Sequence, residues 1–284
     1  MVALPGGRLS EVSELLAWFE RTGRVTVAFS GGVDSALVLA AATRALGAAN
    51  VHAVTAVSAS LPTGMLQAAS RLAAELRVRH SQVRTGEMDV PGYQANGADR
   101  CYFCKATLVD AVAAIEDAGA EGLLVTGTNA DDVRGGWRPG IRAAAERGAG
   151  TPLADTGLGK QQVREISRRW RLPTWDRPAS PCLSSRVAYG VRITPARLAR
   201  VDRAELSARA ALAAAGIAVR DLRVRDLGDA VRLEVDDAQV EQVRQDGSIE
   251  AAVLRAGFGD VRCEVTAFRT GSLNAALPAA LRYT

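Results

Sequence analysis

Apolar runs of strand length alternate with stretches of helical spacing through the first half of the chain. RVTVAF (24–29) predicts a strand ending at Ser30-Gly31-Gly32, and SALVLAAATRAL (35–46) predicts a helix behind it. VHAVTAVSA (51–59) and GLLVTGT (122–128) predict further buried strands. TGMLQAASRLAAELRV (63–78) and KATLVDAVAAIEDAGA (105–120) predict helices, while HSQVRT (80–85) is a poor strand candidate. The amino-terminal spacing suits an amphipathic helix near 9–20 with Ser10 as its cap. Strands alternating with helices imply a parallel sheet joined by right-handed crossovers.

Residues 129–158 are Gly-rich and read as irregular, and loops that long in a compact domain are usually functional. A helix is predicted over 160–171, then the Pro-punctuated segment LPTWDRPASPCLSSR (172–186). From about residue 190 the pattern changes. It predicts a helix over 195–215, a hairpin (DLRVRDLG, then DAVRLEVD), a helix over 237–256 broken near Gly247, and a strand over 260–268. The expected organisation is an α/β domain over 1–188 and a smaller α+β domain over 189–284.

Length and composition fit this division. At roughly 150 residues per domain, 284 residues suggest about two domains. With 48% hydrophobic and 23% charged residues, the chain reads as an ordinary globular enzyme. No apolar run approaches the ~18 residues that would span a bilayer. The amino terminus lacks a basic region followed by an apolar core, so the expectation is a cytoplasmic protein without a membrane partner. The net charge of +4 is carried almost wholly by arginine, since Lys105 and Lys160 are the only lysines. Spread over the whole chain, that excess gives no reason to expect stable nucleic-acid binding. Four cysteines in such a chain are no disulfide framework and point instead to metal binding or catalysis.

VAFSGGVDSALV carries the strongest chemistry. A strand runs into two glycines and straight on into a helix, whose amino end offers unpaired N–H groups and a positive dipole to an anion. Ser30 and Ser35 add hydroxyls, and Asp34 is placed to orient a donor or a Mg²⁺ water. The plain alternative is a tight turn with a Ser or Asp cap. The lysine and spacing of G-x-x-x-x-G-K-[ST] are absent, and G-x-G-x-x-G does not fit either. S-G-G-x-D-S after a strand resembles the PP-loop of ATP pyrophosphatases. That resemblance implies cleavage of ATP to AMP and pyrophosphate, with adenylation of a substrate oxygen. Ser58 lies where such folds bind adenine, or is an ordinary strand-end serine. GTNADD, beginning at Gly127, ends a strand at the carboxyl edge of the sheet, where α/β ligands bind. Asp131 and Asp132 are candidates for Mg²⁺ or substrate, or a solvated loop pair. Lys105 is a candidate to neutralise phosphate charge.

Cys101 and Cys104 form a C-x-x-C just before a predicted helix, a spacing that lets both thiolates reach one metal or cluster. Zinc, iron–sulfur and redox pairs all use it. Cys263 alternates with apolar neighbours and reads as a core residue. Cys182, in a Pro-rich loop beside hydroxyl and guanidinium groups, sits in surroundings that favour a thiolate.

Taken in order, SGGVDS, CYFCK, GTNADD, SPCLSSR and the pair VRVRD…VRLEV resemble the LarE family of ATP-dependent sulfur transferases, over essentially the whole chain. The resemblance implies adenylation of the carboxylates of pyridinium-3,5-biscarboxylic acid mononucleotide, followed by replacement of AMP with sulfur. Some members give up the sulfur of the cysteine matching Cys182. Others carry three cysteines placed like Cys101, Cys104 and Cys182, which hold a 4Fe-4S cluster with an iron left for an extra sulfide. The three cysteines here imply the cluster type and a sulfide source or sulfur donor. Arg223, Arg225, Glu205 and Glu234 match positions used around substrate phosphate or metal, with solvated strand charge as the plain alternative. Ser184, Ser185 and Arg186 are expected to line the pocket beside Cys182. A homo-oligomer is implied, with a hexamer among the expected states. The rival readings are a PP-loop tRNA thiolase and a non-catalytic protein holding ATP or structural zinc.

Overall fold

The computed structural model describes residues 7–115, 122–136, 138–178, 181–278 and 281. The chain divides into two compact units. The first comprises Met1–Ser58, Gly64–Glu87 and Cys101–Ala179; the second comprises Ala59–Thr63, Met88–Arg100 and Ser180–Thr284.

The first unit is built on a four-stranded sheet in the order β3-β2-β1-β4, from β1 (Val25–Ala28), β2 (Val51–Val57), β3 (Arg79–Arg84) and β4 (Leu123–Val125). Every pairing is parallel, as the alternation of strands and helices predicts. The Val33–Leu46 helix follows β1. Ala36 to Ala42 are all fully buried, so it is an interior helix with no polar face along that stretch. HSQVRT does form a strand, contrary to the reading of its sequence. It lies at the sheet edge, paired with β2 from His52↔Arg79 to Val57↔Arg84, and an edge strand needs no continuous apolar run.

Three other expectations are corrected. The first helix is already under way at Gly7, so Ser10 lies inside Gly7–Glu20 rather than capping it. The 129–158 stretch holds short helices at Ala130–Arg134, Pro139–Ala145 and Pro152–Asp155, two of them opened by proline at the first turn. The helix expected over 105–120 spans Arg100–Ala113, so the C-x-x-C lies inside its first turn; residues 116–120 fall outside the described residues.

The second unit shows the predicted α-β-β-α-β order. Thr194 caps the Pro195–Ala214 helix by accepting from Arg197 N at 3.2 Å, and Pro195 fits the first helical position. β5 (Leu222–Asp226) and β6 (Ala230–Val235) form the antiparallel hairpin, and β7 (Arg262–Ala267) joins β6 in parallel. The two earlier segments belong here because their backbone and side chains bind the 182–202 region. Leu183 N donates to Ser60 O at 2.8 Å, Ile193 N donates to Gln94 O at 2.9 Å, and Thr63 Oγ1 donates to Asp202 at 2.5 Å. Among the described residues, no helix is long and apolar enough to cross a membrane.

Candidate active site

The phosphate loop of the first unit needs its glycines for two separate reasons. Gly31 has φ +72°, and a Cβ there would meet Ala69 Cβ at 3.2 Å. Gly32 stands at the helix amino end with no side-chain cap, an end open to an incoming anion, and its N–H donates to Ser30 Oγ at 3.3 Å. Ser35 Oγ reaches Gly32 O at 3.2 Å and Ser30 Oγ at 3.1 Å, so both hydroxyls face the same turn. Arg177, not singled out by its sequence context, donates to Gly31 O at 3.1 Å. Arg164 in turn donates to the carbonyls of Trp175 and Arg177, both at 2.9 Å, and so fixes the segment that carries Arg177.

Gly127 bears on the loop through its backbone. A Cβ at this position would lie 2.8 Å from Ser35 N and 3.2 Å from the Asp34 carbonyl carbon. Gly127→Ala is therefore expected to push the first turn of the phosphate helix aside. Pyrophosphate release from ATP should fall by on the order of a hundredfold, the cost of misplacing reacting groups by about 1 Å.

Asp34 accepts from Asn129 Nδ2 at 3.2 Å. Burial lifts its carboxyl above the usual carboxylate range, with nearby Asp132 adding to the shift, while the Asn129 hydrogen bond and Lys160 oppose it. A raised folded-state value means that folding favours the protonated acid. That stabilisation is complete below the 3.8 of an ordinary aspartate and is lost as pH rises through the folded value. Asp34→Asn is thus expected to raise the melting temperature at neutral pH by a few degrees, a gain that shrinks toward pH 3.8. The same substitution should lower ATP cleavage by about a hundredfold. Melting curves across pH, paired with pyrophosphate assays, check both parts.

Asp131 and Asp132 are both partly exposed, and each has a fixed partner. Asp131 accepts from Lys160 N at 2.7 Å, at the amino end of the Lys160–Arg169 helix, and a Cβ on Gly159 would strike its carboxylate at 2.7 Å. Asp132 forms a capping box with Asn129 and lies 3.5 Å from Lys160 Nζ. Among the described residues, no three His, Cys, Asp or Glu side chains form a set able to hold a metal ion. Asp34 and Asp132 nonetheless suit Mg²⁺, which commonly takes one or two carboxylates and completes its shell with phosphate oxygens and water. Ser58 follows β2 directly.

Cys101 and Cys104 stand three residues apart in the first turn of the Arg100–Ala113 helix, on one face, both half-buried and neither in a disulfide. The donor type and this spacing fit two ligands of a cluster or metal. Lys105 follows on the same helix and is half-buried.

Cys182, in the second unit, opens a 3-10 turn over Leu183–Arg186. Its carbonyl accepts from Ser185 N at 3.0 Å, Ser185 Oγ at 2.7 Å and Arg186 Nη1 at 3.3 Å. The turn is then held from several directions. Tyr93 hydrogen-bonds the Ser184 hydroxyl, Arg100 donates to Ser184 O at 2.9 Å, and Arg225 donates to Ser185 O at 3.0 Å. Asn96 donates to Ala188 O at 2.8 Å and Val191 O at 2.9 Å, and accepts from Arg100 at 2.7 Å. Tyr93, Asn96 and Arg100 lie some 90 residues earlier in the chain, and no local pattern marks them.

Arg186 is fully buried and donates to Glu205 through Nε at 2.9 Å and Nη2 at 3.3 Å; Glu205 also accepts from Val224 N at 3.1 Å. Arg223 and Arg225 do share a strand face, but that face is interior, so the solvated alternative is excluded. Arg225 pairs with Glu234 at 2.7 Å, and Glu234 accepts from Ser272 at 2.7 Å. Burial, followed by the neighbouring Arg186 charge, lowers the Arg223 pKa to about 10, and its guanidinium lies over the Phe268 ring. Asp226 receives Arg197 and Arg200, both at 2.6 Å. Burial pushes the Cys263 thiol up to about 11, as befits a thiol kept inert on β7.

Residues 18–129 match the family model described as NAD synthase. An uncharacterised protein of Synechocystis is 40% identical over 94% of this chain and 98% of its own length. The pyridinium-3,5-bisthiocarboxylic acid mononucleotide synthase of Lactiplantibacillus plantarum is 30% identical over 92% of both chains. The chain belongs to the LarE family. An uncharacterised protein of Methanocaldococcus jannaschii is 26% identical over 62% of this chain and 66% of its own. LarE membership and the PP-loop together make the protein an ATP-dependent sulfurtransferase.

Proposed function

We propose that the protein activates the two carboxylates of pyridinium-3,5-biscarboxylic acid mononucleotide in turn and exchanges each AMP for sulfur. The observation that carries this reading is the uncapped, hydroxyl-lined phosphate loop in a LarE-family chain. In the first step a carboxylate oxygen attacks the α-phosphorus of ATP, and pyrophosphate leaves with the electrons of the broken P–O bond. The loop N–H groups with Ser30 and Ser35 take up the pyrophosphate charge, with Lys105 as a further cation for it. Asp34 and Asp132 would hold Mg²⁺, which would offset phosphate charge. Gly31, Gly32 and Gly127 keep side chains out of the approach, and Ser58 borders the adenosine.

In the second step a sulfur nucleophile adds to the acyl carbon and AMP departs with the oxygen. We propose Cys101, Cys104 and Cys182 as the protein ligands of a 4Fe-4S cluster. A cluster held by three thiolates leaves one iron free of protein and supplies a sulfide that no cysteine has to give up. Arg186 and Arg225, with Glu205 and Glu234 as counter-ions, hold the Cys182 turn in place. Arg223 and Ser185 are the proposed substrate contacts. The guanidinium groups of Arg186, Arg223 and Arg225 are of the type that forks onto phosphate and carboxylate, which suits a phosphorylated dicarboxylate. Inorganic sulfide is the simplest donor, and the family resemblance favours a homo-oligomer, with a hexamer among the expected states.

Iron and acid-labile sulfide analysis after anaerobic reconstitution tests the cluster: wild type should hold it and Cys104→Ala should not. Iron-free wild type whose Cys182 loses the mass of hydrogen sulfide on turnover would establish sacrificial transfer instead. Pyrophosphate release with the pyridinium dicarboxylate but not with tRNA separates the reading from a tRNA thiolase.

A further inference from the structure

The peptide joining Gly31 to Gly32 has no Cβ on either side, so side chains do not oppose rotation of its plane. In a trans peptide the C=O and N–H point to opposite sides, and rotating the plane exchanges them. The orientation matters at a phosphate loop. An anion needs the N–H facing it, whereas a carbonyl there would present partial negative charge. Gly31 O accepts from Arg177 Nη1 at 3.1 Å. On the opposite side Gly32 N–H turns to Ser30 Oγ at 3.3 Å, toward the Ser30–Ser35 hydroxyl pair. Arg177 therefore holds the carbonyl of this peptide while its N–H is left on the side of the hydroxyls.

Arg177 reaches Gly31 from a segment that is fixed without this bond. Leu172 N donates to Ser167 O at 2.9 Å and Arg177 N to Thr174 O at 3.1 Å, and Leu172 and Thr174 are buried. Arg164 clamps the carbonyls of Trp175 and Arg177, both at 2.9 Å. Its helix, Lys160–Arg169, packs Val163 and Ile166 into the same core as Val33 and Leu37 of the helix behind the loop. Restraint thus runs from a packed helix, through Arg164 and then Arg177, to the glycine peptide. A charged donor also makes the stronger hydrogen bond to a carbonyl.

We propose that Arg177 is a positioning residue for ATP cleavage, a latch that keeps the Gly31–Gly32 peptide turned with its N–H toward the pyrophosphate. This rests on the reading that the loop holds the pyrophosphate part of ATP. Arg177 acts through the peptide, not by touching the phosphates. Its bond removes in advance the freedom that two adjacent glycines would otherwise lose on binding.

The test uses inorganic pyrophosphate and the full chain labelled with nitrogen-15 at glycine. Titration calorimetry gives the affinity, and the Gly32 amide proton shift at saturation reports whether that N–H donates to the anion. Arg177→Met is expected to bind pyrophosphate about tenfold more weakly, the worth of one hydrogen bond to a charged group. Its Gly32 shift at saturation should be at most about half that of wild type, because the peptide then populates both orientations. Arg177→Lys restores a charged donor and should recover both quantities. Wild-type affinity in Arg177→Met overturns the latch. Weaker binding with an unchanged Gly32 shift overturns it too, since Arg177 would then meet the phosphates directly. A loss that Arg177→Lys leaves in full assigns the effect to packing and is equally fatal. Wild type that binds no pyrophosphate overturns the latch and the loop assignment together, so the two failures are told apart.

Discussion

Glu205→Ala is expected to destabilise the second unit by about 3–5 kcal/mol, the cost of stranding a buried charge whose partner has been removed. Arg186 is 1% exposed and donates to both Glu205 carboxylate oxygens, so truncation removes its ion-pair partner and leaves the guanidinium in the interior. Val224 N loses an acceptor by the same change. Arg186 also reaches the Pro181 and Cys182 carbonyls, so loss of the pair should loosen the cysteine turn before the unit unfolds. The double variant Arg186→Met/Glu205→Leu should recover most of the stability, because the desolvation cost leaves with the charges. Its sulfur transfer should stay impaired, since the turn has lost its anchor. Urea melts of wild type, Arg186→Met, Glu205→Leu and the double variant give the coupling directly. Additive losses would show that Arg186 and Glu205 do not act as a pair.

Cys182→Ser should separate the two halves of the reaction. The turn is held through the Cys182 carbonyl and through Ser184, Ser185 and Arg186, none of which involves the thiol. The variant is therefore expected to fold and to release pyrophosphate from ATP within a few-fold of wild type. Thiocarboxylate formation should fall by on the order of a thousandfold or more, because the sulfur chemistry has no substitute in a hydroxyl. A variant that still forms product at a comparable rate would remove Cys182 from the chemistry. Loss of pyrophosphate release together with product would show instead that the turn supports activation.

Short-range features of this molecule were readable in its sequence, and long-range ones were not. The strand, loop and helix around Ser30–Ser35 are specified within a dozen residues, so their pattern is visible without the fold. β3 escaped because an edge strand with one open face carries polar residues. Arg177 and Asn129 escaped for a different reason: they reach Gly31 and Asp34 across 146 and 95 residues, and nothing local marks such a meeting. Arg223 and Arg225 were correctly placed on one face, yet alternation alone does not tell a solvated face from an interior one. Only the packing of β5 against the Pro195–Ala214 helix and β6 decides that. The same ambiguity affects Glu205 and Glu234, whose residue type suits a ligand and a buried counter-ion equally well.

The most direct test of the sulfur-transfer reaction follows the oxygen. With the carboxylates of the pyridinium dicarboxylate mononucleotide labelled with oxygen-18, one label should appear in each AMP formed, none in pyrophosphate, and the product should gain one sulfur per AMP. AMP free of label, or label recovered in pyrophosphate, would contradict activation of the carboxylate as an adenylate.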